Sequence, residues 1–268
     1  MSLVGVFDSG VGGLTVLREM RRQLPGVDFL YLGDTARLPY GSKSPETVRR
    51  YALNAAAYLW RYEIDLLIVA CNTASASALP DLSAHSPVPV LGVVEPGARA
   101  AIRSGARRIG VIGTEGTIRS AAYQDTLHRM RADLRIRSRA CPLFVPLAEE
   151  GWGDHEITRQ VTRIYLRDLL DWGVEALILG CTHYPLLQES IGAIAGPSVK
   201  LVDSATSLSD AMIERHASLL SRGGGKGLLR LHLTDASDRF MRIAGSILRA
   251  DADEFRVVDL DDEPSRVS

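Results

Sequence analysis

Apolar residues along this chain gather into short unbroken runs, each followed by a stretch whose hydrophobic positions recur at helical spacing. Leu66-Leu67-Ile68-Val69-Ala70 leaves no polar side chain for either face, so it predicts a strand buried on both sides of a parallel sheet. The run stops at Cys71-Asn72-Thr73, and a helix is predicted over 74–82. Ala176-Leu177-Ile178-Leu179-Gly180 repeats it and stops at Cys181-Thr182-His183. Ile64-Asp65 precedes the first run as Val174-Glu175 precedes the second. Gly5-Val6-Phe7-Asp8-Ser9 likewise matches Gly110-Val111-Ile112-Gly113-Thr114, and Val93-Val94-Glu95-Pro96 matches Leu201-Val202-Asp203-Ser204. A duplication of this kind predicts two similar α/β units.

In chain order, the first unit has strands predicted over 4–7, 29–32, 66–70 and 88–94, with helices over 14–24 and 45–62. Ser44 and Pro45 supply the cap and first position of the second helix. The second unit opens near Glu95 with a helix over 98–104, then a strand at Ile109 and further strands over 134–139, 143–145, 176–180 and 199–202. Glu149-Glu150-Gly151 falls in a loop that matches Tyr40-Gly41 of the first unit. A helix over 205–220 leads to Gly223-Gly224-Gly225, a composition that predicts a flexible turn. Residues 228–234, 235–248 and 255–258 then read as strand, helix and strand, expected to add an edge to the first sheet before a frayed acidic end from Asp259. The prediction is an α/β protein with two largely parallel sheets related by pseudo-twofold symmetry. One domain takes residues 1–94 with 206–268 and the other 95–205, with the active site in the cleft between them.

Length and charge narrow the function. At 268 residues the chain can build two such cores. A formal net charge of −1 and no basic run argue against a nucleic-acid partner. No run approaches the ~20 apolar residues of a membrane span, and Met1-Ser2-Leu3-Val4 leads straight into a strand without a charged leader. Cys71, Cys141 and Cys181 form neither a disulfide framework nor a zinc spacing, which fits a cytoplasmic location.

Ligands of open parallel sheets bind beyond the carboxyl ends of strands, where Cys71 and Cys181 both lie. A helix N-terminus beside such a thiol favours thiolate, whereas the alternative is an inert buried cysteine. The duplication favours chemistry. Inverting a carbon stereocentre requires a proton to leave one face and another to arrive at the opposite face, and two opposed thiols of tunable pKa suit that task. His183 either lowers the pKa of Cys181 and relays protons, or is an ordinary histidine bonded to backbone. Asp8 either does matching work beside Cys71 or caps the helix that follows. Asp8-Ser9-Gly10-Val11-Gly12-Gly13 is a strand-to-helix glycine turn without dinucleotide or P-loop spacing, so it predicts a small carboxylate ligand. Cys141 has no duplicate and precedes Pro142, and no chemistry is assigned to it.

Asp8-Ser9-Gly10, Pro39-Tyr40-Gly41, Cys71-Asn72-Thr73-Ala74, Glu95-Pro96, Pro146-Leu147-Ala148-Glu149 and Gly180-Cys181-Thr182-His183-Tyr184-Pro185 carry a specific resemblance. Over nearly its whole length, with no departure at these positions, the chain resembles glutamate racemases of the cofactor-independent aspartate/glutamate racemase superfamily. The resemblance implies an isomerase that interconverts L- and D-glutamate with no cofactor and no metal, supplying D-glutamate for peptidoglycan and the cell wall. It implies that Cys71 takes the proton from D-glutamate and Cys181 from L-glutamate, assisted by Asp8, Glu149 and His183. Substrate contacts are implied for Asp8, Ser9, Pro39, Tyr40, Gly41 and Asn72, and for Thr73, Thr114, Thr117, Thr182 and His183. It also implies a homodimer of open geometry. Members activated by a peptidoglycan precursor carry an N-terminal extension that this sequence lacks, so that regulation is not expected. A sister racemase for aspartate, a bilobal binding or redox protein and a pyridoxal phosphate racemase are the competing readings.

Overall fold

The computed structural model describes residues 2–220, 226–249 and 252–260. The glycine turn expected at 223–225 and the acidic run from 261 onward lie outside the described residues. In the first lobe β1 (Leu3–Asp8), α1 (Leu14–Gln23), β2 (Asp28–Gly33), α2 (Pro45–Trp60), β3 (Leu66–Val69), α3 (Asn72–His85) and β4 (Val90–Gly92) alternate. The second lobe holds α4 (Val94–Arg103), β5 (Arg108–Gly113), α5 (Glu115–Arg119), α6 (Ala122–Met130) and β6 (Arg135–Ala140). It continues through α7 (Phe144–Glu149), α8 (Glu156–Asp171), β7 (Ala176–Gly180), α9 (Gln188–Ala195) and β8 (Lys200–Asp203). The chain then returns to the first lobe as α10 (Ser204–Leu220), β9 (Leu229–Leu233), α11 (Asp238–Leu248) and β10 (Glu254–Val257).

Strand order is β10-β9-β2-β1-β3-β4 in one sheet and β6-β5-β7-β8 in the other, with every pairing parallel. The order β2-β1-β3-β4 therefore recurs as β6-β5-β7-β8, and the tail adds its two strands at the free edge of β2. Helices cover both faces of each sheet, which is why the central strands are apolar throughout. Leu66 and Ile68 of β3 pack towards α1, α10 and α11, while Leu67 and Val69 pack towards α2 and α3. In β7, Ala176 and Ile178 meet α4 and α6, while Leu177 and Leu179 meet α7, α8 and α9. Each large aliphatic side chain removed from water in this way contributes about 1.5–3 kcal/mol. No helix among the described residues is long and apolar enough to cross a membrane.

Local chemistry sets the element ends that matter. Ser44 Oγ accepts from Thr47 N at 3.3 Å, with Pro45 at the first position of α2. Cys71 occupies the N-cap of α3 in an extended conformation, so that helix begins at once after the strand and earlier than expected. The equivalent Cys181 opens onto a short 3-10 turn, Tyr184–Leu187, before α9. The strand expected over 143–145 is instead the helix α7. Phe144, Leu147 and Ala148 are its buried positions, a spacing of one helix face that outweighs the β-branched Val145. Glu149 is the last residue of that helix rather than part of a loop, and Gly151, at φ +74°, turns the chain away behind it.

Candidate active site

The carboxyl ends of β1, β2 and β3 face those of β5 and β7 across a cavity of about 340 Å³. The first lobe lines it with Ser9, the turn Leu38 to Ser42, and Cys71-Asn72-Thr73. From the second lobe come Thr114, Glu115, Pro142, Val145, Pro146 and Glu149, with Cys181-Thr182-His183. The structure thus brings both strand-end thiols to one space, at 4% and 5% exposure. Cys141 is buried off the cavity, its carbonyl accepting from Tyr184 Oη at 2.9 Å, and burial pushes its thiol well up. Glu95 stands apart too, in an ion pair with Arg99 and Arg215.

The two sulfurs sit in unlike surroundings. Burial first, and then the Asp8 carboxylate, push the Cys71 thiol up to about 12. The Ser9 hydroxyl at 3.5 Å and the Ala74 amide pull the other way and lose. Of the two readings left open for Cys71, a helix N-terminus that favours thiolate and a buried neutral thiol, burial here favours the neutral thiol. Desolvation by burial outweighs the helix dipole at this sulfur. Cys181 has no α-helix opening beside it but has His183, whose Nδ1 lies 3.8 Å from Sγ. Glu149 Oε1 lies 3.2 Å from the other ring nitrogen, Nε2, too poorly aligned for a full hydrogen bond but close enough for an ion pair. Burial opposes the charge on His183, yet the contacts with Cys181 and Glu149 prevail and raise the imidazole to about 10.

Asp8 and Thr117 back the cavity rather than line it. The fully buried Asp8 Oδ2 accepts from Gly10 N and Gly13 N, each at 2.9 Å, and Thr182 Oγ1 donates to Oδ1 at 3.4 Å. Two amides of the glycine turn, Gly10 N and Gly13 N, therefore hold the protein's own carboxylate, while Ser9 of the same turn lines the cavity. Asp8 spans the two lobes at the same time. Thr117 Oγ1 stands 3.0 Å from Thr114 Oγ1 and 3.3 Å from Thr73 Oγ1, and Thr114 caps α5. This hydroxyl cluster fixes the first-lobe thiol loop against the second lobe.

Three supporting residues were not foreseen from the sequence. Asp34, fully buried after the end of β2, accepts from Tyr40 Oη at 2.5 Å and from Thr234 Oγ1 at 3.1 Å, so it anchors the turn that forms one wall. Its strand-end position is the signal that singled out Asp8. Tyr123 and Ser204 reach Asn72 from the second lobe and from α10, with Asn72 Nδ2 donating to their hydroxyls at 2.8 and 3.1 Å. Nothing local in the sequence marks either of them.

Comparison with known proteins places this geometry. The profile of the Asp/Glu/Hydantoin racemase family matches residues 4–212. A glutamate racemase of Geobacter metallireducens is 52% identical over 250 residues, covering 91% of this chain and 92% of that protein. The crystal structure of a glutamate racemase isoform from Bacillus anthracis aligns at a TM-score of 0.91 and 38% identity, over 97% of this chain and 98% of that one. A Francisella tularensis glutamate racemase, crystallised with D-glutamate, aligns at 0.91 and 35% identity over the same shares. With a duplicated parallel-sheet architecture, a cleft between the sheets and kinship over nearly its full length, the chain belongs to the Asp/Glu/Hydantoin racemase family.

Proposed function

We propose that this amino-acid racemase interconverts L- and D-glutamate by carrying the α-proton between Cys71 and Cys181, with no cofactor taking part. The observation that carries the reading is a pair of thiols at equivalent strand ends, one from each lobe, facing one cavity. In the step, one sulfur as thiolate takes the proton from one face of the α-carbon. The other, as thiol, delivers its own proton to the opposite face. Charge growing on the α-carboxylate is met by fixed donors, which act strongly in a water-poor cavity. Ser9, Thr73 and Thr114, with the backbone amides that open α3, supply them. No lysine or arginine is among the described residues lining the cavity, so substrate carboxylates meet hydroxyls and amides, and no amine stands ready for a Schiff base.

The resting cavity is loaded unequally. Cys71 keeps its proton, while the charged His183 beside Cys181 is the counter-charge a thiolate there needs during the step. That arrangement suits removal of the proton from L-glutamate by Cys181 and delivery by Cys71. For D-glutamate the roles reverse, with the substrate ammonium offsetting what burial and Asp8 do to Cys71. Glutamate as the substrate is supported by kinship to proteins named for that activity. The same reading takes 1–94 with 206–268 and 95–205 as the two domains, and assigns a cytoplasmic homodimer that supplies D-glutamate for peptidoglycan.

Circular dichroism of each enantiomer, incubated with metal-free and cofactor-free protein, tests it. L- and D-glutamate should both decay to a signal of zero, with aspartate turned over far more slowly. In D2O the product formed early should carry deuterium at the α-carbon while the remaining substrate keeps protium. Optically stable glutamate, or aspartate as the better substrate, would sink the proposal.

A further inference from the structure

The two halves correspond in strand register, and they differ at a contact across the lobes. Phe7 pairs with Val69 in the first sheet as Ile112 pairs with Leu179 in the second. Counting on from these pairs makes Gly12 the equivalent of Thr117, and Thr73 the equivalent of His183. In one half the contact is Thr117 with Thr73, hydroxyl to hydroxyl at 3.3 Å. In the other it is Gly12 with His183. A Cβ placed on Gly12 would stand 2.5 Å from His183 Nδ1 and 2.8 Å from Cε1, and against Thr182 Oγ1. Nδ1 is also the atom that faces Cys181 Sγ.

Neither side of this contact can easily retreat. The ring is buried, with Nε2 beside Glu149. The Thr15 hydroxyl lies between the carbonyls of Gly12, at 2.8 Å, and Thr182, at 3.1 Å, and so ties the two loops together. Threonine at the position equivalent to Gly12 suits a partner as small as Thr73. Only glycine leaves room for an imidazole.

We propose that Gly12 is a positioning residue of the first lobe, whose missing side chain lets His183 of the second lobe lie against Cys181. It would thereby make the Cys181 side of the cavity the imidazole-assisted side, although Gly12 itself touches no substrate. The proposal rests on the two-thiol reading, with Cys181 acting on L-glutamate and Cys71 on D-glutamate.

Racemisation alone cannot test this, because enantiomers have equal free energy and kcat/KM must be the same in both directions. Elimination from the enantiomers of 3-chloroglutamate can. There a thiolate takes the α-proton, the C–Cl bond breaks with loss of chloride, and water hydrolyses the enamine to 2-oxoglutarate and ammonia. Gly12→Ala should slow elimination from the L-analogue about 100-fold, as expected for a catalytic group moved by about an ångström. Elimination from the D-analogue should change by less than about threefold, and adding Gly12→Ala to His183→Ala should cost less than about threefold more. Equal losses with both enantiomers, or an undiminished loss in the His183→Ala background, would overturn the proposal. If Gly12→Ala alone does not fold, Gly12→Ala/His183→Ala should, since the ring is gone and the Thr182 hydroxyl can then turn aside, and its failure to fold would count equally against the idea. Cys181→Ser separates the two layers of argument. Persistent L-analogue elimination in that variant overturns the thiol assignment and the proposal together. Loss there, with a symmetric effect of Gly12→Ala, overturns the proposal alone.

Discussion

A buried histidine with a carboxylate 3.2 Å from Nε2 and a sulfur 3.8 Å from Nδ1 keeps its charge well above neutral pH. With the imidazole raised to about 10, His183 stays protonated through the physiological range and loses its proton only in the basic limb of a pH–rate profile. Glu149→Gln removes one of the two contacts that raise it, so the imidazole should deprotonate at lower pH. The basic limb of kcat for L-glutamate should then move towards neutrality by about one to two pH units. An unmoved limb would mean that Glu149 does not govern this charge. Sequence alone left His183 open between an assisting group and an ordinary strand-end histidine. Its spacing from Cys181 was visible, but the partner on Nε2 comes from the end of α7 and depends on the tertiary fold. Asp8 was similarly open. Its backbone partners at Gly10 and Gly13 give it a structural bond, while its field acts on Cys71.

At the scale of elements, the long apolar runs were the most legible feature, because helices on both faces leave a strand nowhere to put a polar side chain. Leu67, fully buried in β3 in the core cluster it shares with α2 and α3, tests how much that burial contributes. Leu67→Ala should lower unfolding stability by about 2–5 kcal/mol in chemical denaturation, the range for a large-to-small change in a packed core. A loss well below that would mean that the sheet repacks around the cavity. The short segment at Leu143 was misread because a run of three residues fits either period, and only the buried faces of Phe144, Leu147 and Ala148 decide for helix. The glycine turn after β1 reads in the sequence as an anion site, and two of its amides, at Gly10 and Gly13, are taken by Asp8. Chain pattern does not say which carboxylate fills a ring of amides.

For the whole molecule, the central feature is that one architecture used twice leaves two thiols lining one cavity in different settings. Cys71 opens a long helix and is burdened by Asp8, whereas Cys181 opens a short turn and is attended by His183 and Glu149. The duplication was readable because strand ends recur in order. The inequality was not, since it arises from contacts between lobes such as Gly12 with His183 and Thr73 with Thr117. The claim that depends on all of this is that each thiol serves one face of the substrate. Cys71→Ser and Cys181→Ser, each assayed with both enantiomers of glutamate and of 3-chloroglutamate, test it most directly. Each variant should lose racemisation by about 10²–10⁴-fold, since serine is a far weaker acid than a thiol. Cys71→Ser should still eliminate chloride from the L-analogue, and Cys181→Ser from the D-analogue. Racemisation surviving in either variant, or the same enantiomer preferred by both, would contradict the two-thiol account.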